Sequence, residues 1–128
     1  MSKLLSSERI INSPKGVELA ATALKDGKLV AFSTETVYGL GADATNDQAV
    51  ANIFKTKGRP LFNPLIVHVP SQNQAKNLVK WSNVAEKLAD SFWPGPLTLV
   101  LPRQRDTKIS YLASAGLDSL AVRAPGHY

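Results

Sequence analysis

At 128 residues, 44% of them hydrophobic and 20% charged, the chain has the size and composition of one globular domain, not of a disordered or fibrous segment. It has no cysteine and two histidines, His68 and His127, which excludes disulfides and thiolate metal ligands and leaves little from which to build a structural zinc site. Fifteen Lys and Arg against ten Asp and Glu give a net charge of +5, which permits attraction to polyanions without demanding it, because most of the lysines are scattered singly along the chain.

The start, Met1 to Glu8, has too short an apolar core for a signal peptide, and no run approaches the ~18 apolar residues of a membrane span. A cytoplasmic protein without a membrane partner is expected. Ser13-Pro14 reads as a cap followed by an N1 proline, and Val17, Ala20, Ala21 and Leu24 recur at helical spacing before Gly27. A strand over 29–32 leads into Thr34-Glu35-Thr36-Val37-Tyr38-Gly39-Leu40-Gly41. Asn46 or Asp47 can cap a second helix whose Ala49, Val50, Ile53 and Phe54 form its inner stripe, ending at Lys55-Thr56-Lys57-Gly58-Arg59-Pro60.

Arg59 and Asn63 each precede proline, which disfavours helix and predicts an extended, turning segment over 58–64. A strand over 65–69 follows, with Leu65, Val67 and Val69 on one face and Ile66 and His68 on the other. Ser71 opens a helix with Ala75, Leu78 and Val79 inward, and Asn83 with Glu86 reads as the capping box of another over 84–92. The Pro94-Gly95-Pro96 corner leads to a strand over 97–101, and a last strand over 120–123 follows a polar loop. Helices alternating with strands place the chain in the α/β class, with a mixed sheet.

Two polar clusters carry the chemistry. The first sets hydroxyls, a carboxylate and a phenol beside two glycines; the second gathers three cations ahead of a proline turn, and together they suit a phosphorylated ligand. For Thr34, Thr36 and Tyr38 the ordinary reading is a half-buried strand with hydroxyls satisfied by neighbouring backbone. For Lys55, Lys57 and Arg59 it is a solvated helix end, but Arg59 between glycine and proline is a rigid site for a side chain serving only solubility, and its planar fork fits phosphate. Lys57 reads as surface and Lys55 as a supporting charge. His68 reads on general grounds as a packed, satisfied residue. Arg123, ending a buried strand, must meet an anion, with Asp118 or Glu35 as structural partners or a substrate carboxylate as the alternative. Gly39-Leu40-Gly41-Ala42-Asp43-Ala44 fits a dinucleotide fingerprint by letters only, because the glycines do not follow the strand directly and no acidic residue stands about twenty positions on. A P-loop pattern is absent from the sequence. Trp93 and its prolines read as a rigid corner.

In order and spacing, Ser33 to Leu40, Ile53 to Pro60, Asn63 to His68, Trp93 to Thr98 and Ala121 to Pro125 resemble the YrdC-like threonylcarbamoyl-AMP synthases. The likeness runs from about Pro14 to His127, which implies an N-terminal extension over 1–13 and a YrdC-like domain over 14–128, a twisted mixed sheet with flanking helices. Family members continue beyond the position of Tyr128 through a small-residue, serine-rich segment with further ligand contacts, so the resemblance implies a C-terminally incomplete domain. The family motif opens with proline where this chain has Ser33.

What the resemblance implies is synthesis of threonylcarbamoyl-AMP and pyrophosphate from L-threonine, bicarbonate or CO2 and ATP, for threonylcarbamoyladenosine modification of tRNA. Carried over by position, Thr36, His68 and Arg123 bind threonine, and Arg59, Asn63 and Ser119 bind ATP. Lys55 and Arg59 become the catalytic cations at the phosphates. The implied metal is Mg2+ carried with ATP, with no metal site in the protein, and the implied partners are proteins that transfer the threonylcarbamoyl group to tRNA. The alternative is a non-catalytic module binding double-stranded RNA or tRNA through the basic surface. A carbamoyl-transfer role like that of related domains in hydrogenase maturation would want zinc-finger and acylphosphatase-like regions, which this sequence does not contain.

Overall fold

The computed structural model describes residues 14–33 and 38–125. Helix α1 spans Pro14–Lys25, with the proline at its first position as the sequence predicts. Its expected inner stripe is largely uncovered: Gly16 is its buried residue, and Val17 is 59% exposed. Strand β1, Val30–Ser33, pairs antiparallel with β2, Tyr38–Gly41, so that Ser33 faces Tyr38 and Val30 faces Gly41. Gly39 and Gly41 therefore lie in a strand that doubles back, not in a strand-to-helix turn, which is the physical reason the fingerprint match has no meaning here.

Helix α2 runs Asp47–Lys57. Its N-cap is Asn46, whose Oδ1 accepts the Ala49 N–H at 3.0 Å, and its predicted stripe of Ala49, Val50, Ile53 and Phe54 is buried throughout. Gly58 ends it in the left-handed region at φ 63°, where a side chain would be strained. Strand β3, Ile66–His68, leads to α3, Gln72–Leu78, and α4, Asn83–Phe92. Here the expected capping box shifts by one position: Ser82, not Asn83, is the N-cap and accepts the Ala85 N–H at 3.0 Å, while the Glu86 carboxylate turns to Lys76 at 3.1 Å. Two polar residues in succession offered the same cap; the hydroxyl one position earlier has the reach.

Past α4 the chain turns at Trp93, with a cis bond to Pro94. The expected rigid corner is tied twice: the Trp93 indole donates to the Leu97 carbonyl at 2.8 Å, and Gly95 N–H donates to the Ala124 carbonyl at 2.8 Å. A Cβ on Gly95 would stand 2.4 Å from the Phe92 carbonyl oxygen, so this approach requires glycine. Strands β4, Leu99–Pro102, and β5, Ser119–Arg123, complete the fold. β5 is the central strand of a three-stranded mixed sheet, parallel to β3 and antiparallel to β4. The fold is thus α/β with a mixed sheet, as the sequence implies, but among the described residues the strands divide into this sheet and the separate β1–β2 pair. Its inner face, Val67, Leu99, Leu120 and Val122, packs into a core shared with Val50 and Phe54 of α2, Ala75 of α3 and Ala85 and Ala89 of α4. No described helix is long and apolar enough to cross a membrane.

Candidate functional site

Because side chains alternate along a strand, covering one face of the sheet with helices leaves the other to the solvent. Three rows cross that open face in register. His68 stands beside Arg123, and Arg123 donates through Nε to the Thr98 hydroxyl at 2.9 Å. Ile66, Ala121 and Val100 form the next row, with Val100 65% exposed. Ser119 lies opposite Pro102 in the third. Four residues at about 3.3 Å per residue separate Ser119 from Arg123 by about 13 Å along one face of β5. The open face is therefore polar at both ends and apolar between them.

The turn that feeds β3 sits at the Ser119 end. Arg59 is folded onto its own loop, donating from Nε to the Asn63 carbonyl at 3.3 Å and from Nη2 to the Pro64 carbonyl at 2.8 Å, while Asn63 N–H closes onto Pro60 O at 3.1 Å. Two of the guanidinium's five N–H donors hold the turn, and among the described residues the other three have no hydrogen-bond partner. Lys55 is exposed in the last turn of α2, where the helix dipole favours a cation. The structure thus sets His68 beside Arg123 at one end of β5, while the register places the Arg59–Asn63 turn, which feeds β3, toward the Ser119 end. Thr36 and Glu35 lie outside the described residues. Asp118, the other structural partner foreseen for Arg123, does not pair with it: among the described residues Arg123 has no carboxylate within ion-pair distance, and Thr98 is its partner instead. Nothing in the local pattern singled out Thr98; it reaches Arg123 because the corner at 93–97 brings β4 back against β5.

His68 is on the solvent-facing side of β3, yet desolvation of its imidazole, and secondarily the positive charge of Arg123, hold its pKa below the usual histidine range. The ring is therefore neutral at neutral pH and can accept or donate one hydrogen bond. A cation beside a neutral imidazole and a hydroxyl suits a small ligand with an anionic group next to a polar one. The lowered pKa also sets a sign. Below about 6.5 the unfolded chain takes up a proton at His68 before the folded chain does. The stability due to neutral His68 is then complete above that pH and falls away as the pH drops toward the depressed folded value. His68→Gln is expected to flatten this part of the stability–pH curve, measured by urea unfolding from pH 7.5 to 5; a difference between the two proteins that does not vary with pH would refute the assignment.

The model of the Sua5, YciO and YrdC family, described as telomere recombination, matches residues 22–128. A threonylcarbamoyl-AMP synthase of Pyrococcus abyssi is 52% identical over 112 residues, covering 87% of this chain and 32% of that protein. A threonylcarbamoyl-AMP synthase of Bacillus subtilis is 44% identical over 124 residues, covering 96% of this chain and 35% of its own length. The crystal structure of P. abyssi Sua5 complexed with L-threonine superposes with a TM-score of 0.84 at 50% identity, over 94% of this chain and 34% of that one. The chain spans about a third of the length of these two curated relatives. With a family match that takes in α2, all of the three-stranded sheet and both polar ends of its open face, the chain belongs to the Sua5, YciO and YrdC family.

Proposed function

We propose that the open face serves threonylcarbamoyl-AMP synthesis. The observation that carries this reading is the His68–Arg123–Thr98 row at one end of β5, with Ser119 and the Arg59–Asn63 turn at the other. It is supported by the threonylcarbamoyl-AMP synthase names of the relatives and by the L-threonine complex of the P. abyssi protein. In this reading Arg123 takes the threonine carboxylate, and neutral His68 and Thr36 orient the amine and hydroxyl. The amine nitrogen bonds to CO2 and releases a proton, giving a carbamate. A carbamate oxygen then attacks the α-phosphorus of ATP, the bond to the β-phosphate breaks, and pyrophosphate leaves with the electron pair. Arg59, Asn63 and Ser119 hold the nucleotide, and Lys55 adds a point charge near the phosphates. The protein's contribution is position and charge, which is where phosphoryl and nucleotidyl transfer gain most.

Among the described residues no three His, Cys, Asp or Glu side chains gather to hold a metal ion. Mg2+ is assigned to the ATP phosphates, where it ordinarily keeps several waters, as part of the substrate. The product passes to proteins that transfer its threonylcarbamoyl group to tRNA and release AMP.

ATP with Mg2+ and L-threonine together are expected to raise the Tm more than either alone, because ligands that bind only the native state stabilise it by mass action, by about 2.7 kcal/mol at a hundred times Kd. Calorimetry that finds heat from neither ligand would end this reading. Tight, salt-sensitive RNA binding that is indifferent to ATP and survives both Lys55→Ala and Arg59→Ala would favour the RNA-binding module instead.

A further inference from the structure

Beyond the Pro102–Ser119 end of the sheet, residues 78–80 run antiparallel to the end of β4. Lys80 N–H donates to the Pro102 carbonyl at 2.8 Å, Gln104 N–H donates to the Leu78 carbonyl at 2.9 Å, and Val79 faces Arg103 in an isolated bridge. A cavity of about 350 Å³ opens at this junction, with Lys80, Arg103, Arg105, Tyr111 and Asp118 in its lining. None of Arg59, Asn63, His68, Ser119 or Arg123 lines it.

Arg103 is 7% exposed. Its guanidinium lies 3.8 Å from the centre of the Tyr111 ring, Nη1 donates to Ser114 Oγ at 3.2 Å, and Nη2 donates to the Ile109 carbonyl. Among the described residues its Nε–H is buried with no partner, and no carboxylate pairs with the side chain. Burying a cation away from any anion is costly, and an unmade hydrogen bond adds to that cost. Bracing of the 104–117 loop accounts for both terminal nitrogens and the ring contact. It does not account for the idle Nε–H, nor for Lys80, from the 78–80 segment, standing with Arg105 around the same cavity.

We propose that this cavity binds a doubly charged phosphate, as inorganic phosphate or the end of a small phosphate monoester. Three cations against one carboxylate leave the lining two charges positive, which a dianion neutralises and a phosphodiester does not. Arg103 supplies a fixed, largely buried positive charge in the wall, where attraction to an anion is screened least. Lys80 and Arg105, both exposed, supply mobile charges at the mouth.

The test is a titration of the ¹⁵N-labelled protein with inorganic phosphate at constant ionic strength, following the Arg103 Nε–H resonance. The resonance is expected to shift and saturate. Because Arg103 also braces the loop, the variant is Lys80→Ala with Arg105→Ala, which should keep the Tm measured without phosphate and weaken phosphate binding at least about tenfold, the scale of one lost charged contact. Arg59→Ala should leave the titration unchanged, which separates this cavity from the proposed ATP site. A resonance unmoved by phosphate, a double variant that binds as the parent does, or an equal response to the monoanion dimethyl phosphate would overturn the proposal. So would displacement of phosphate by Arg59→Ala. Methyl phosphate and inorganic phosphate, titrated separately, tell the esterified ligand from the free ion.

Discussion

Leu120→Ala is expected to lower the stability of the domain by about 2–5 kcal/mol, the range for truncating a large aliphatic side chain in a core that cannot collapse onto the gap. Among the described residues Leu120 is the largest fully buried side chain, at 0% exposure, and it is the second residue of β5, the strand between β3 and β4. Its register partner Leu101 and the helices beneath are held by other contacts, so the cavity would remain. Urea unfolding with an unchanged m-value would report this loss directly. The effect extends to the site, because Ser119, Ala121 and Arg123 alternate with Leu120 and Val122 on the same strand, and one face cannot loosen without the other. A loss below about 1 kcal/mol would place the centre of the core elsewhere.

Local periodicity carried the parts of the fold that depend on neighbours three or four residues away, or two. Ala49, Val50, Ile53 and Phe54 repeat as a helix face and are buried as one, and Val67 and Val69 alternate with Ile66 and His68 as a half-covered strand must. Asn46 was readable as a cap because its side chain bonds three residues ahead. What depended on distant pairing was not readable. Val17 belongs to an apolar stripe, but a stripe says only that a face is apolar, not that something lies on it. Gly39 and Gly41 pair back onto β1, and the division of the described strands into two sheets follows from register that no local pattern encodes.

The candidate site divides in the same way. The resemblance named His68 and Arg123, while their adjacency comes from the parallel pairing of β3 with β5. Thr98 and Arg103 went unassigned because a threonine within the expected strand and an arginine just after it are ordinary letters. The return of β4 against β5 brings one to Arg123, and the 104–117 loop folding over the sheet end buries the other. Arg59 was read as a phosphate ligand because it stands between a glycine and a proline; what no local pattern foretold is that its guanidinium also ties the Asn63 and Pro64 carbonyls of its own turn.

Arg123→Ala should weaken L-threonine about ten- to a hundredfold in the presence of ATP, since losing a hydrogen bond to a charged group costs about 1.5–3 kcal/mol. Arg123→Lys should recover only part of this. Lysine keeps the charge, but it lacks the planar fork that donates at once to the Thr98 hydroxyl and to a carboxylate. ATP affinity should change much less, because Ser119 and the Arg59 turn lie at the opposite end of β5. A second reading comes from His68. Arg123 is the lesser of the two influences that lower its pKa, so in Arg123→Ala the pKa should rise while remaining below the usual histidine range, held there by desolvation. Calorimetry gives the first quantity and the pH dependence of the His68 ring resonances gives the second. If the histidine responds while threonine binds as before, Arg123 tunes its neighbour and braces Thr98 without touching substrate, and the carboxylate must be sought elsewhere on the open face.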